Sequence, residues 1–256
     1  MFERRLVFIG ILCCLVSWAL FSLRENKAQL VQQGNYYFHS TSLSQSHQIS
    51  CASCHPSDQN FTSGARLDHH IKGVAKRNTP SLWNLEKRNL FFRDGGLKKL
   101  EQVMWAPLLD EMAYEFSPFY LSNPDSSKAM ETALVAYLHS LKKPANPFAF
   151  ELEKQGGNLF KHHCISCHTA PLFSDFSIHP SPIQTRDVGR FRITGRPEDL
   201  YGFVSPSLID VANTSPYFHN GSVASLNEAI LLCSNNSLNP SEIDAIYSFL
   251  SELGKP

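Results

Sequence analysis

The chain has 256 residues and 43% apolar content, enough to bury a globular core. Lys and Arg total 23 and Asp and Glu total 23, so the formal net charge is zero. With no basic run either, nothing in the composition points to nucleic acid or to strong steering by global charge, which leaves room for a local patch that meets a redox partner.

In chain order, Arg4 and Arg5 precede an apolar run from Leu6 to Leu23 that is long enough to span a bilayer as a helix. Residues 1–27 are expected to be a signal peptide or an N-terminal membrane anchor, with the body of the chain on the outer side. Residues 28–39 should be helical, with Leu30, Val31, Tyr37 and Phe38 on one face. A Ser-rich loop then leads to Cys51-Ala-Ser-Cys54-His55, and the same pattern returns as Cys164-Ile-Ser-Cys167-His168. In this pattern two thiols add across the vinyl groups of one haem and the adjacent His gives its imidazole to the iron. A dithiol redox motif would leave the His unexplained in both copies. A zinc site would have to join pairs more than a hundred residues apart. Of the seven cysteines, Cys13 and Cys14 fall in the leading segment, four belong to the motifs and Cys233 is left over, so no disulfide framework is available.

After a loop from Phe61 to Lys76 comes an internal repeat. Pro80-Ser81-Leu82 recurs as Pro206-Ser207-Leu208, and Phe92-Arg93-Asp94-Gly95 with Leu100 recurs as Phe218-His219-Asn220-Gly221 with Leu226. These pairs are all offset by 126 residues and the Cys motifs by 113, so two related units differ in length by about a dozen residues between motif and repeat. Met130, Leu134, Tyr137, Leu138 and Leu141 mark a core helix capped by Asp125 or Ser126. Pro144 to Pro147 marks a boundary, giving domains 28–143 and 144–256. Residues 149–163 should form one helix entering the second motif, with Gly156-Gly157 letting it approach the porphyrin. A last helix starts at Pro240, with Ile243, Ile246, Tyr247 and Leu250 inward.

The occupant of each iron's sixth position decides between electron transfer and chemistry. His69 and His70 are candidates at the first haem, where Glu111 could move a proton between the oxygens of a peroxide. At the second, Cys233 leads because it sits 126 residues after Pro107 and so occupies the equivalent place. His219 is a second candidate, followed by His162, His163 and His179.

Taken together, the stretches CASCH, RNTPSLWN, FFRDGG, PLLDEM, GGNLFKHHCISCH, DVGRFRITG, VSPSL and TSPYFHNGS through NEAILLC resemble the bacterial diheme cytochrome c peroxidase family, which includes MauG-type enzymes. The resemblance implies a mainly α fold of two cytochrome c-like domains, each wrapped around one covalently bound haem, after the N-terminal apolar export or anchor helix. It implies that the N-terminal haem domain is peroxidatic and the C-terminal one electron-transferring. By position, Cys51, Cys54, Cys164 and Cys167 attach the haems and His55 and His168 are the proximal iron ligands. His70 matches a removable distal ligand, Glu111 the catalytic glutamate and Gln102 a pocket glutamine. A calcium site between the haems maps onto Asn78 and the carbonyls of Thr214 and Pro216. Two departures stand out: Arg93 replaces a tryptophan between the haems, and Cys233 replaces a methionine iron ligand.

The expected function is that of a periplasmic diheme peroxidase that reduces hydrogen peroxide to water with electrons from a small c-type cytochrome or cupredoxin. The alternative is a MauG-like enzyme that uses a high-valent haem state to oxidise residues of a partner protein, which the change at Cys233 favours. A third reading is an electron-transfer protein without turnover. Beyond peroxide and a redox partner or protein substrate, the resemblance allows a membrane tether and a homodimer, and no nucleic acid.

Overall fold

Two helix crossings of one design organise the chain. In the computed structural model, which describes residues 24–122 and 124–255, the first crossing joins helical residues 24–39 (α1) to a helix at Ser127–Ser140. Between them run a one-turn helix α2 (Cys51–Cys54), a small antiparallel hairpin of β1 (His69–His70) and β2 (Gly73–Val74), helix α3 (Leu100–Asp110) and the short α4 (Pro118–Ser122), so Ser127–Ser140 is α5. The second half runs through α6 (Ala149–Leu152), α7 (Lys154–His163), β3 (Ile178–Pro180), α8 (Phe191–Thr194), β4 (Gly202–Val204), α9 (Leu226–Cys233) and α10 (Pro240–Leu253). Its crossing joins α7 to α10. The run from Leu6 to Leu23 lies outside the described residues, among which no helix is long and apolar enough to cross a membrane.

Each crossing turns on one glycine. A Cβ at Gly34 in α1 would meet the Ala133 carbonyl oxygen at 2.0 Å, and one at Gly156 in α7 would meet the Ala245 carbonyl oxygen at the same 2.0 Å. Only a residue without a side chain allows backbones that close. Around each contact sits the same aromatic trio. Phe38 meets Tyr137 at 5.1 Å and Phe61 at 6.1 Å, while Phe160 meets Phe249 at 5.0 Å and Phe173 at 5.7 Å. Phe38, Phe61, Phe160, Phe173 and Phe249 are all buried, each stabilising its core by about 1.5–3 kcal/mol. Two apolar cores result, one drawn from residues 38–141 and the other from 149–253.

The sequence repeat is also a repeat of backbone conformation. Phe92 and Phe218 take φ of 61° and 67°, and Gly95 and Gly221 take 65° and 59°. Bridges Phe91 with Leu97 and Tyr217 with Val223 occupy matching positions. Ser81 Oγ donates to Asn60 O and Ser207 Oγ to Leu172 O, both at 2.7 Å. The extra residues of the second unit fall between Ser174 and Ser205, where β3, α8 and β4 have no counterpart in the first.

The five apolar residues read as a core helix are buried on or beside α5, and α10 starts at Pro240 behind an Asn239–Glu242 capping box. Three expectations need correcting. Residues 149–163 are not one helix, because the backbone breaks at Glu153 and lets Phe150 fold back to within 4.6 Å of Phe249. Gly156 serves the contact with α10 rather than a porphyrin. Tyr247 is 41% exposed, on the outer side of α10.

Candidate haem sites and their junction

Both Cys-x-x-Cys-His turns are built alike. The His55 amide donates to Cys51 O at 2.9 Å and the His168 amide to Cys164 O at 3.0 Å, which folds each His back beneath its own cysteine pair. His55 Nδ1 donates to Phe61 O at 2.7 Å, and His168 Nδ1 donates to Phe173 O at 3.0 Å. A carbonyl only accepts, so the proton is fixed on Nδ1 and Nε2 keeps a free lone pair, the tautomer an iron ligand needs. Phe61 and Phe173 hold φ of 56° and 53°, a left-handed conformation that costs a large side chain of order 1–3 kcal/mol and turns these carbonyls inward. The aromatic trios hold both residues there, so the helix crossings aim the histidines.

The electrostatics bear on the dithiol reading of the motif. Burial holds both imidazoles neutral by lowering their pKa values. Burial also pushes the Cys51, Cys54 and Cys164 thiols up to about 12. Dithiol redox chemistry needs the opposite shift. Among the described residues no group of three or more His, Cys, Asp and Glu side chains could hold a metal ion. Paired neutral thiols with an oriented imidazole fit thioether attachment of a haem.

Over the first turn the fold gathers His70 and Glu111. The hairpin pairs His70 with Gly73, and Lys72 N–H donates to His70 Nδ1 at 3.3 Å. Ile71 N–H donates to the carbonyl of Glu111, the residue that caps α3, at 3.1 Å. Burial raises the Glu111 carboxyl while His70 pulls it down, and its charge is felt at Cys51 and Cys54. Gln102 stands apart: it is exposed on α3, about half a turn out of phase with Glu111. Asp68 was not foreseen. Its carboxylate accepts from Ser63 Oγ at 2.9 Å and from Thr79 Oγ1, and its charge favours protonation of His55. A single Asp in a loop carries no pattern that could have flagged it.

At the second turn Cys233 is the last residue of α9. Helices α3 and α9 start at the matched Leu100 and Leu226, so Cys233 and Pro107 hold the same helical position. Cys233 opens onto the surface, yet surrounding protein and the charge of Cys167 push its thiol up to about 11, and Cys164 feels it in turn. His179 also lies here, with Nε2 2.7 Å from Asp175 Oδ2 and Nδ1 3.6 Å from Cys167 Sγ. His162 and His163 are exposed at the end of α7. His219 is buried elsewhere, stacked 4.1 Å from Phe203, with Nε2 3.2 Å from Thr185 Oγ1 and Nδ1 without a partner.

The junction between the units is charged. Arg77 bonds Asp94 of its own unit at 2.5 Å and grips Asp187 of the other at 2.6 and 3.0 Å. Arg190 Nη1 donates to the carbonyls of Asp94 and Gly95, and Lys143 pairs with Asp210. Asn78, buried here, donates its main-chain N–H to His219 O at 2.8 Å, while its Oδ1 accepts from Arg93 Nη2 at 2.8 Å. This last bond bears on calcium. The oxygen expected to hold a hard cation already holds a guanidinium, and a divalent ion there would face a like charge at contact range. Thr214 and Pro216 flank the end of a 3-10 turn and add no carboxylate. The donor set does not fit calcium.

Two oriented histidines, each behind a Cys pair, match the pattern of a c-type dihaem protein, and comparison with known proteins points the same way. Residues 28–123 match the sequence model of the di-haem cytochrome c peroxidases. The chain is 27% identical to cytochrome c551 peroxidase of Nitrosomonas europaea, covering 91% of this chain and 82% of that one. It is 28% identical to the methylamine utilization protein MauG of Methylorubrum extorquens, over 78% of this chain and 67% of that one. In fold it is similar to a MauG-like protein associated with microbial copper homeostasis, with TM-score 0.77, 24% identity and 88% of both chains covered. It is also similar to the diheme peroxidase BthA of Burkholderia thailandensis, with TM-score 0.72, 19% identity and 88% and 86% covered. The chain is a relative of the di-haem cytochrome c peroxidases. Two c-type haems and oxidoreductase chemistry come with that kinship.

Proposed function

We propose that the chain is a diheme peroxidase in which the first unit cleaves hydrogen peroxide and the second receives electrons from a small redox protein. Per turnover, one peroxide, two protons and two electrons give two waters. The observation that carries this reading is the asymmetry between two like-built turns: one lies under His70 and Glu111, the other beside a thiol. When bound, haem supplies a redox-active iron at each turn. The chain supplies His55 and His168 as proximal ligands, with Nδ1 tied to a carbonyl so that each imidazole keeps its aim. Glu111, whose carboxyl is raised above its usual range by burial, would move a proton from one oxygen of peroxide to the other, while the two electrons that split the O–O bond would come from the haems. His70 sits on a two-strand hairpin short enough to swing aside and is the removable ligand of the first site. Gln102 would need a local rearrangement to join them.

The domains fall at 28–143 and 144–256, one haem each, and residues 1–27 carry the body to the periplasm or tether it to the membrane. A second copy of the chain remains a partner open to test. One observation favours the MauG-like alternative, oxidation of residues on a partner protein: Cys233 faces the second attachment pair, and a thiolate would lower the potential of that iron and favour higher oxidation states.

Glu111→Gln tests the peroxidase reading. With peroxide and a reduced c-type cytochrome, the variant should turn over about 10²–10⁴-fold more slowly than the parent, with both haems still attached. A rate within about threefold of the parent removes Glu111 from the mechanism. A parent that consumes peroxide without oxidising the donor shifts the reading to the MauG-like alternative.

A further inference from the structure

Two half-buried guanidinium groups at the junction have no counter-charge. Arg88 Nη2 donates to two neutral acceptors, Ser81 O at 3.1 Å and Trp83 O at 3.3 Å, while its Nε is buried with no partner. Arg93 likewise reaches only Asn78, its Oδ1 at 2.8 Å and its main-chain oxygen at 3.4 Å. Among the described residues neither meets a carboxylate, because the acids of the junction, Asp94 and Asp187, are both taken by Arg77. Burial pushes Arg88 down to about 10, and Arg93 falls to about 10 for the same reason with Arg88 and Arg77 adding repulsion. A buried charge without a partner is among the costliest arrangements a fold can contain, so an anion belongs here.

Position indicates which anion. The Arg88 acceptors belong to Ser81 and Trp83, whose side chains both bond Asn60, the residue before the Phe61 that orients His55. The Arg88 guanidinium lies 6.0 Å from the ring centre of Phe176, three residues after the Phe173 that orients His168. Arg88 is therefore linked to both motif histidines, to His55 through Asn60 and Phe61 and to His168 through the stretch from Phe173 to Phe176. Every haem brings two carboxylates, and the planar fork of a guanidinium matches a carboxylate edge on.

We propose that Arg88, supported by Arg93, is a carboxylate-binding site for the haem propionates, and that its positive charge raises the potential of at least one haem. This rests on the two-haem reading of the chain. The site also accounts for Arg93 standing where a divalent cation was expected, since one cationic cluster serves the junction.

The test uses the mature holoprotein, with Arg88→Met and Arg88→Lys compared with the parent. Mass analysis counts the haems and a spectroelectrochemical titration reads both midpoints. Removing the charge in Arg88→Met should lower one midpoint so that the ferrous-to-ferric ratio at fixed potential falls about tenfold, which is about 59 mV for one electron. Arg88→Lys should recover most of that shift. If Arg88 only held the Ser81 and Trp83 carbonyls, both variants would melt earlier with their midpoints in place. That result, in protein carrying two haems, overturns the inference and leaves the functional reading standing. Parent midpoints that move with added chloride or phosphate would put a solvent anion on Arg88 and overturn it too. Parent protein without haem would sink both.

Discussion

Replacing Arg77 by leucine should loosen the two units from each other. The guanidinium bonds Asp94 at 2.5 Å and Asp187 at 2.6 and 3.0 Å, and the three side chains are only 22%, 14% and 19% exposed. Removing one partner of a fully buried pair costs about 3–5 kcal/mol. With about a fifth of each group still in water, the low end applies, about 3 kcal/mol, or a melting temperature about 6–12 °C lower for a chain of this size. The pH dependence has a definite sign. Burial pushes the Asp187 carboxyl up, but the bonds from Arg77 and the Gly189 amide outweigh it and hold the group below its usual range. A depressed carboxyl contributes stability above its unfolded value near 3.9 and loses it as the pH falls through the lower folded value. The gap between parent and Arg77→Leu should therefore be full at pH 7 and close as the pH drops below about 4. Scanning calorimetry across that range reads both quantities, and Arg77→Lys, which keeps the charge but loses the fork, should lie between. A variant melting within about one degree of the parent at pH 7, or a gap undiminished in acid, would refute the reasoning.

Gly34→Ala and Gly156→Ala each place a methyl 2.0 Å from a carbonyl oxygen and should each cost at least about 1–3 kcal/mol in a urea titration; a loss confined to one of them would break the equivalence of the crossings. Cys233→Ser should change the absorption spectrum of one haem and leave the other alone, whereas two unchanged spectra would remove the thiol as a ligand. Added calcium, or a chelator, should leave the melting temperature unmoved; a stoichiometric uptake of calcium with a higher melting temperature would show that Arg93 yields its place on Asn78.

Local pattern carried much of this structure. The two Cys motifs declared their cofactor because His at a fixed step after the second Cys has few other uses, and the shift of 126 residues reappears as matching left-handed turns at Phe92 and Phe218. The position of Cys233 also followed from the repeat, since Leu100 and Leu226 start their helices in register. Long-range contacts stayed hidden. The 110 residues between Arg77 and Asp187 leave no trace of their pairing in either sequence neighbourhood, and Gly156 could be read as a close approach without revealing that Ala245 was its partner. The break at Glu153 escaped for a related reason: it serves Phe150, whose partner Phe249 lies almost a hundred residues on.

The segment between Ser174 and Ser205 has one more consequence. It supplies Phe176, Asp187, Arg190 and Val204, which together clasp Arg88, Arg77, Asp94 and Arg93 of the preceding unit. The hold is mutual: Val204 N–H donates to Arg93 O at 2.7 Å and Asn78 N–H to His219 O at 2.8 Å, positions related by the shift of 126 residues, so the units meet as in an isologous pair. Each unit therefore spends on its twin the very groups that could have recruited a further copy, and a duplication held this way is complete as a couple.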